Sequence, residues 1–298
     1  MPFRPDQILI KACLNGARGR EDNPNVPWTP REVADEAVRA WEAGAAIVHF
    51  HARHDDGRPS YDAEWYDEAD RLIRARCDVI LNHTTIRPVS VPLERVLHYL
   101  KATSEPVDMV SLVIGSIEGA RKDPATGRRM RFSMPNTYDH IVALLDVCYE
   151  RDIRPEPAFF DLGMFSLGEA LIADGTLRHA DYFLLEPSGQ WGDGRQLAPG
   201  DRVRSLQLLD AVRERHPESL CVMHGSGPTA FETAALAIAT GGHVRVGFED
   251  SPRLPDNEQP ASNATFVEWA VKLARMLGRE PVTPAEVRAL LDIPDRSS

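Results

Sequence analysis

Short apolar runs rich in Val, Ile and Leu alternate with longer amphipathic stretches along this chain, in one unbroken order. The runs Ile8 to Leu14, Ala46 to Ala52, Val79 to Thr84, Met109 to Ile114, Arg154 to Phe160, Tyr182 to Glu186, Leu220 to His224 and Val244 to Phe248 read as strands. Their near-continuous hydrophobicity predicts burial on both faces. The stretches between them carry helix signals. Thr29-Pro30-Arg31-Glu32 is a capping box with proline at the first helical position, followed by apolar Val33, Ala37, Val38 and Trp41 and stopped at Gly44. Further helices are expected over Asp62 to Ala75, Pro92 to Ala102, Asn136 to Arg151, Gly163 to Ala173, Asp201 to Arg215, Pro228 to Thr240 and Asn263 to Leu277. A last helix, opened by the capping box Thr283-Pro284-Ala285-Glu286 and running to Leu291, is expected to pack on the outside or on a neighbour.

Strict alternation of buried strands and helices demands a parallel sheet. Eight such units favour one closed (β/α)8 TIM barrel over residues 1–298, with an extra C-terminal helix. An open doubly wound sheet is the alternative. Against it, no strand is followed by GxGxxG, and Gly225-Ser226-Gly227-Pro228 after the seventh strand is too short for a dinucleotide fingerprint.

Composition narrows the class. At 298 residues and 43% hydrophobic content the chain can bury a large core. No stretch approaches the roughly 18 apolar residues of a membrane span, and the start, Met1 to Asp6, lacks the apolar core of a secretory signal, so a soluble cytoplasmic protein is expected. Cys13, Cys77, Cys148 and Cys221 stand singly without CxxC pairs, which suits reduced core thiols. A net charge of -11 argues against a nucleic-acid surface and leaves room for a small anionic substrate. The basic stretch Arg121 to Arg131, with Pro124 and Gly127, reads as a solvated loop; contact with the phosphates of a bulky cofactor or with a neighbouring subunit are the alternatives.

The chemistry gathers at the ends of the expected strands. In Ala45-Ala-Ile-Val-His49-Phe-His51 the two histidines are two residues apart on one strand, so both imidazoles project to one face and can grip one metal ion. A third ligand is expected from His243-Val-Arg245-Val-Gly247-Phe-Glu249-Asp250, which ends in adjacent carboxylates. Barrel closure would leave only the first strand between these motifs, and two histidines with Glu249 would form a metal site with open positions. A carboxylate beside a metal ligand can act as a base, which suits Asp250, and Arg245 could hold substrate, tune that base or serve as a structural ion-pair partner. Asn15 and Arg18 after the first strand, Thr84 and Thr85 on the third, Ser111 on the fourth, and Glu156 and Asp161 on the fifth aim at the same mouth. Ser and Thr there suit the binding of a carboxylate or enolate oxygen, or are plain turn residues. His83 alternates with the threonines and reads as structural or peripheral. His224 could line the cavity without an assigned role.

Asn23-Pro-Asn-Val-Pro27-Trp-Thr-Pro30, Glu42 to Arg53 with Asp56-Gly-Arg-Pro-Ser60, and Thr240 to Asp250 together make a specific pattern, to which Ser262-Asn263-Ala264 and Thr283-Pro-Ala-Glu286 add. In these motifs the chain resembles the β-keto acid cleavage enzymes, nearly end to end. The resemblance implies a zinc-dependent barrel enzyme, a homotetramer, that exchanges acyl groups: a β-keto acid and acetyl-CoA give acetoacetate and a new acyl-CoA. It implies His49, His51 and Glu249 as zinc ligands, Asp250 with Arg245 as the catalytic pair, and Thr84 and Ser111 as the hydroxyls that hold the keto acid. Where the family's type enzyme carries two glutamates for an amino-bearing substrate, this chain has Arg18 and Ala158. A neutral or anionic tail is therefore expected, with Arg18 as a bidentate partner for a carboxylate. The loop Glu186 to Arg195 also differs from the type enzyme; its glycines either let backbone approach a ligand or make a surface turn. Two other readings stand beside this one. A metal-dependent hydrolase of the amidohydrolase type normally carries HxH on the first strand and histidines on the fifth and sixth, which are absent from Arg154 to Asp161 and Tyr182 to Glu186. A non-catalytic metal- or ligand-binding barrel would not need Asp250.

Overall fold

The computed structural model describes residues 3–122, 126–188 and 201–296. Eight parallel strands close into a barrel in chain order: β1 (Ile10–Cys13), β2 (Ile47–Phe50), β3 (Ile80–Thr84), β4 (Met109–Val113), β5 (Arg154–Phe159), β6 (Tyr182–Ser188), β7 (Leu220–Gly225) and β8 (His243–Val246). Closure is made by β8 against β1, with Val244 opposite Ile10 and Arg245 opposite Lys11. Helices α1 (Pro30–Glu42), α2 (Ala63–Arg74), α3 (Leu93–Ala102), α4 (Tyr138–Glu150), α5 (Leu162–Ala173), α6 (Asp201–Arg215), α7 (Ala230–Ala239) and α8 (Asn263–Met276) follow the strands in turn. The expected (β/α)8 barrel is the observed one. No helix among the described residues is long and apolar enough to cross a membrane.

The local signals work as expected at α1. Thr29 Oγ1 accepts from Glu32 N at 3.2 Å while Glu32 Oε2 accepts from Thr29 N at 3.0 Å, which satisfies two N–H groups that the helix itself leaves unbonded. Outward strand residues such as Ile10, Val48, Leu81 and Phe183 pack under the helices in the main core. Inward residues fall into two tiers. Leu9, Ile47, Ile80, Met109, Tyr182, Leu220 and Val222 form an apolar floor at the amino ends of the strands. Above it lie Lys11, Cys13, His49, Asn82, Thr84, Ser111, Glu156, Glu186, His224 and Arg245, all buried. A residue period of two puts every second side chain on the inside, so polar residues within apolar runs converge there.

Three expectations are corrected. The last helix, α9 (Pro284–Leu291), does not lie on the outside. Its Val287 and Leu291, with Ile293 beyond it, pack into the barrel floor, and Arg288 forms a two-pronged bridge to Asp108 at 3.1 Å on each oxygen. Arg154 also donates to Leu291 O at 2.9 Å. The first apolar run is divided: Gln7–Ile8 pairs with Glu280–Pro281 instead of joining the barrel, which ties the two ends of the chain beside the plug. The basic stretch is no simple loop, because Ile117–Lys122 and Arg129–Met134 pair as an antiparallel hairpin. Residues 123–125 of that stretch, and 189–195 of the glycine-containing loop, lie outside the described residues.

If α9 is the plug of the barrel, Leu291→Ala opens a cavity in the floor and should lower unfolding stability by about 2–5 kcal/mol. Equilibrium urea denaturation measures this, and a loss under about 1 kcal/mol would mean that the floor does not depend on this helix.

Candidate active site

The turn after β8 builds the site. β8 stops at Val246, and Gly247 adopts φ +149°, where a side chain would collide with the Cys13 carbonyl of β1. The chain then folds back, Asp250 N donating to Gly247 O at 3.0 Å and Glu249 N to Cys13 O at 3.2 Å. Gly16 leaves the space that the Glu249 side chain fills. Asn263, at the start of α8, accepts from Phe248 N at 2.9 Å and donates to Leu14 O at 3.1 Å, so one amide joins the exits of β8 and β1. Glu36 Oε2 in turn accepts from Asn263 N at 2.7 Å. This is the physical content of the Ser262-Asn263-Ala264 motif.

His49, His51 and Glu249 converge as expected. The two histidine Nε2 atoms are 3.1 Å apart, and Glu249 lies 3.6 Å from His49 Nε2 and 3.7 Å from His51 Nε2. An ion with bonds of about 2.0–2.1 Å in tetrahedral geometry needs ligand atoms about 3.3 Å apart. Among the described residues these three form the set of His, Cys, Asp and Glu side chains placed to hold a metal ion. Within them Glu249 Oε2 is buried and takes no hydrogen bond. The protonation of His49 follows from its partners. Its Nδ1 is 2.7 Å from Asn82 Oδ1 and 3.1 Å from the Asn82 carbonyl, while Asn82 Nδ2 donates to Glu156 Oε2 at 3.0 Å. A carbonyl and a carboxylate only accept, so the amide orientation is settled and Nδ1 carries the hydrogen, leaving the Nε2 lone pair toward the site. Lys11 pairs with the same Glu156, both fully buried. Asn15 fixes the second histidine by its backbone, accepting from His51 N at 2.9 Å and donating to His51 O at 2.9 Å.

Electrostatics suit a cation at this point. Burial pushes His49 well below the usual imidazole range and His51 down to about 4, so both are neutral imidazoles at pH 7. Burial alone would raise Glu249, but Arg245, His49 and His51 outweigh it and bring the carboxyl to about 2.

The second carboxylate faces another set of partners. Arg245 Nη2 lies 2.8 Å from Asp250 Oδ1 and 2.8 Å from Glu249 Oε1, joining the two carboxylates. Burial disfavours the charged form of Asp250, yet Arg245 and His224 hold its carboxyl well below the usual range. Thr84 and Ser111 sit opposite each other across β3 and β4, both inward and buried. Arg18 reaches the same turn: its Nε donates to Glu249 O at 3.1 Å and its Nη2 to Asp250 O at 3.3 Å, with Asp22 at 3.9 Å. Ala158 is inward, buried and among apolar neighbours.

Other sequence candidates resolve differently. His83 faces outward, 3.0 Å from Asp70 and stacked on Tyr66, a structural position as expected. Asp161 caps α5 through Met164 N at 2.8 Å. Glu156 belongs to the support of His49. Sequence reasoning missed the partnership of His224 with Glu186 and Asp250, and the Lys11–Glu156–Asn82 chain. The available signal was the inward register of these polar residues within apolar runs.

The chain is a (β/α)8 barrel whose buried polar side chains gather toward the carboxyl ends of its strands, the end at which enzymes of this architecture hold their active sites. A family model described as β-keto acid cleavage enzyme matches residues 7–293, and the chain belongs to that family. It is 35% identical over 295 residues to a 3-keto-5-aminohexanoate cleavage enzyme of Fusobacterium nucleatum, covering 97% of this chain and 98% of that one. It is 28% identical over 288 residues to a 3-oxoadipate:acetyl-CoA acetyltransferase of Cupriavidus necator, covering 96% and 95%. Among solved structures, the ternary complex of ObcA with a C4-CoA adduct and oxalate superposes with a TM-score of 0.72 at 19% identity, over 91% of this chain and 68% of that chain, a likeness of fold.

Two measurements test the metal-binding set. The double variant His49→Ala, His51→Ala should fold and lose its bound divalent metal in elemental analysis; full occupancy would rule these ligands out. Asn82→Leu should leave the ligands in place but weaken metal affinity by about 10–100-fold in chelator competition, because the hydrogen-bond partner of a ligating imidazole sets its tautomer and orientation. Unchanged affinity would show that Asn82 does not support His49.

Proposed function

We propose that this protein transfers acyl groups between a β-keto acid with a neutral or anionic tail and acetyl-CoA, releasing acetoacetate and the acyl-CoA of the remaining fragment. What supports this most directly is a single turn that carries two carboxylates with different partners: Glu249 beside two neutral histidines and Asp250 clamped by buried Arg245. In this reading His49, His51 and Glu249 hold zinc, which supplies Lewis-acid polarisation of the keto oxygen when bound. A cytoplasmic homotetramer is part of the same reading.

Thr84 and Ser111 hold the substrate carboxylate, which aims the adjacent methylene at Asp250. Asp250 removes a proton from that carbon, and Arg245 stays paired with the carboxyl group throughout. The resulting carbanion attacks the thioester carbonyl of acetyl-CoA and expels the CoA thiolate. The thiolate then adds to the original ketone, and cleavage of the carbon–carbon bond gives acyl-CoA and the acetoacetate enolate. Asp250 returns its proton to that enolate, so atoms and charge balance over the cycle.

The tail preference follows from two positions. One relative is named for an amino-bearing keto acid and another for 3-oxoadipate, a dicarboxylate, so tails of opposite charge occur among similar enzymes. Here Ala158 supplies no charge, and Arg18 repels an ammonium group. Two of the five guanidinium N–H groups of Arg18 go to the Glu249 and Asp250 carbonyls, which leaves donors for a carboxylate.

Acetoacetate formed from acetyl-CoA and a series of β-keto acids tests the reaction; none with any member of the series would defeat it. Asp250→Asn should keep its metal and lose about 10²–10⁴-fold in turnover, and near-normal turnover would assign the base elsewhere. Matched neutral, carboxylate and ammonium tails should rank with ammonium last in kcat/KM, and Arg18→Glu should raise its standing. A wild-type preference for ammonium, or a ranking untouched by Arg18→Glu, would remove Arg18 from selectivity.

A further inference from the structure

His224 and Glu186 take no part in the chemistry above, yet both are buried beside its base. His224 stands at the end of β7, with Nδ1 3.1 Å from Asp250 Oδ1 and Nε2 3.1 Å from Glu186 Oε2. The imidazole thus bridges a carboxylate of β6 and one of the turn after β8. Both contacts lie at hydrogen-bond distance, with the ring nitrogens off the ideal line to the oxygens. Burial and Arg245 oppose a proton on this ring, but Glu186 and Asp250 prevail and raise it to about 9. The chain after β7 also grips the backbone of Asp250, Gly227 N donating to its carbonyl at 2.7 Å.

The two oxygens of Asp250 are not equivalent. Oδ1 takes Arg245 Nη2 at 2.8 Å and faces His224 at 3.1 Å, whereas among the described residues Oδ2 has only the Arg245 Nε, shared with Oδ1, at 3.2 Å. A carboxylate free to rotate about its Cβ–Cγ bond would offer either oxygen to substrate, and proton transfer demands a fixed one. We propose that His224, held in place by Glu186, is a positioning residue that pins Asp250 by Oδ1 and leaves Oδ2 as the oxygen that receives the substrate proton. The inference rests on the acyl-exchange reading, in which Asp250 is the base.

Paired substitutions separate positioning from simple packing. An asparagine side chain places its amide nitrogen near the Nδ1 position, facing Asp250; a glutamine places it near Nε2, facing Glu186. With metal content and fold checked first, His224→Leu and His224→Gln should lower kcat by about 10–100-fold, a share of the about 10²–10⁴-fold available to a positioned base, with KM for the keto acid unchanged. The kinetic isotope effect for substrate deuterated between carboxylate and ketone should rise in both. His224→Asn should restore most of kcat. Glu186→Gln, which preserves volume, should lower kcat by a smaller factor with the same rise in isotope effect, and carries the test if the His224 variants do not fold. Glutamine matching or exceeding asparagine, or an isotope effect unmoved in the folded variants, overturns the inference alone. A wild type without acetoacetate formation, or Asp250→Asn with normal turnover, defeats the acyl-exchange reading and this inference with it.

Discussion

Arg245 is buried between two adjacent carboxylates, and the shape of the site follows from the need to keep those charges inside a barrel. A buried ion stripped of its partner costs about 3–5 kcal/mol, so Glu249 and Asp250 must both stay within reach of the guanidinium. Only a sharp reversal of the chain allows that. Gly247 provides it at φ +149°, against the Cys13 carbonyl, and Gly16 clears the volume that the Glu249 side chain needs. Asn263 and Glu36 then hold the turn from behind. Around Arg245 the carboxylates of Glu186, Glu249 and Asp250 gather with Arg245 and His224, next to two neutral histidines.

The interior divides its tasks by height. Its floor is apolar and sealed by α9, whose Arg288 meets Asp108 beneath the strands. Its upper tier is polar and linked by buried chains such as Lys11–Glu156–Asn82–His49.

The fold was legible because its signals are local. Near-continuous apolar runs, a capping box at Thr29 and another at Thr283 each act within a few residues, and their regular order left few topologies open. The convergence of His49, His51 and Glu249 was legible for a related reason: the two histidines lie two residues apart on one strand, and Glu249 needed only the assumption of closure. The place of α9 was not legible. Val287 and Leu291 define an apolar face, but which surface receives it depends on the floor of the barrel, assembled from strands spread over most of the chain. The basic stretch carried Pro and Gly as a loop would, and the pairing of its flanks emerged only in the folded chain.

The sequence by itself determined the order of elements, the closed barrel and the residue types at each strand end, since alternation and periodicity are properties of neighbours along the chain. The tertiary structure decided which polar groups became partners. Glu186 and His224 are separated by a whole helix and strand, and Lys11 and Glu156 by more than that, with no sequence pattern linking them. Their meeting is set by the parallel register, which places Arg245 beside Lys11 and Ser111 beside Glu156, and by the inward face that all of them share. Charges confined to that small dry space must pair with whatever the register brings near, and so the support of His49 and the grip on Asp250 exist only in the closed barrel.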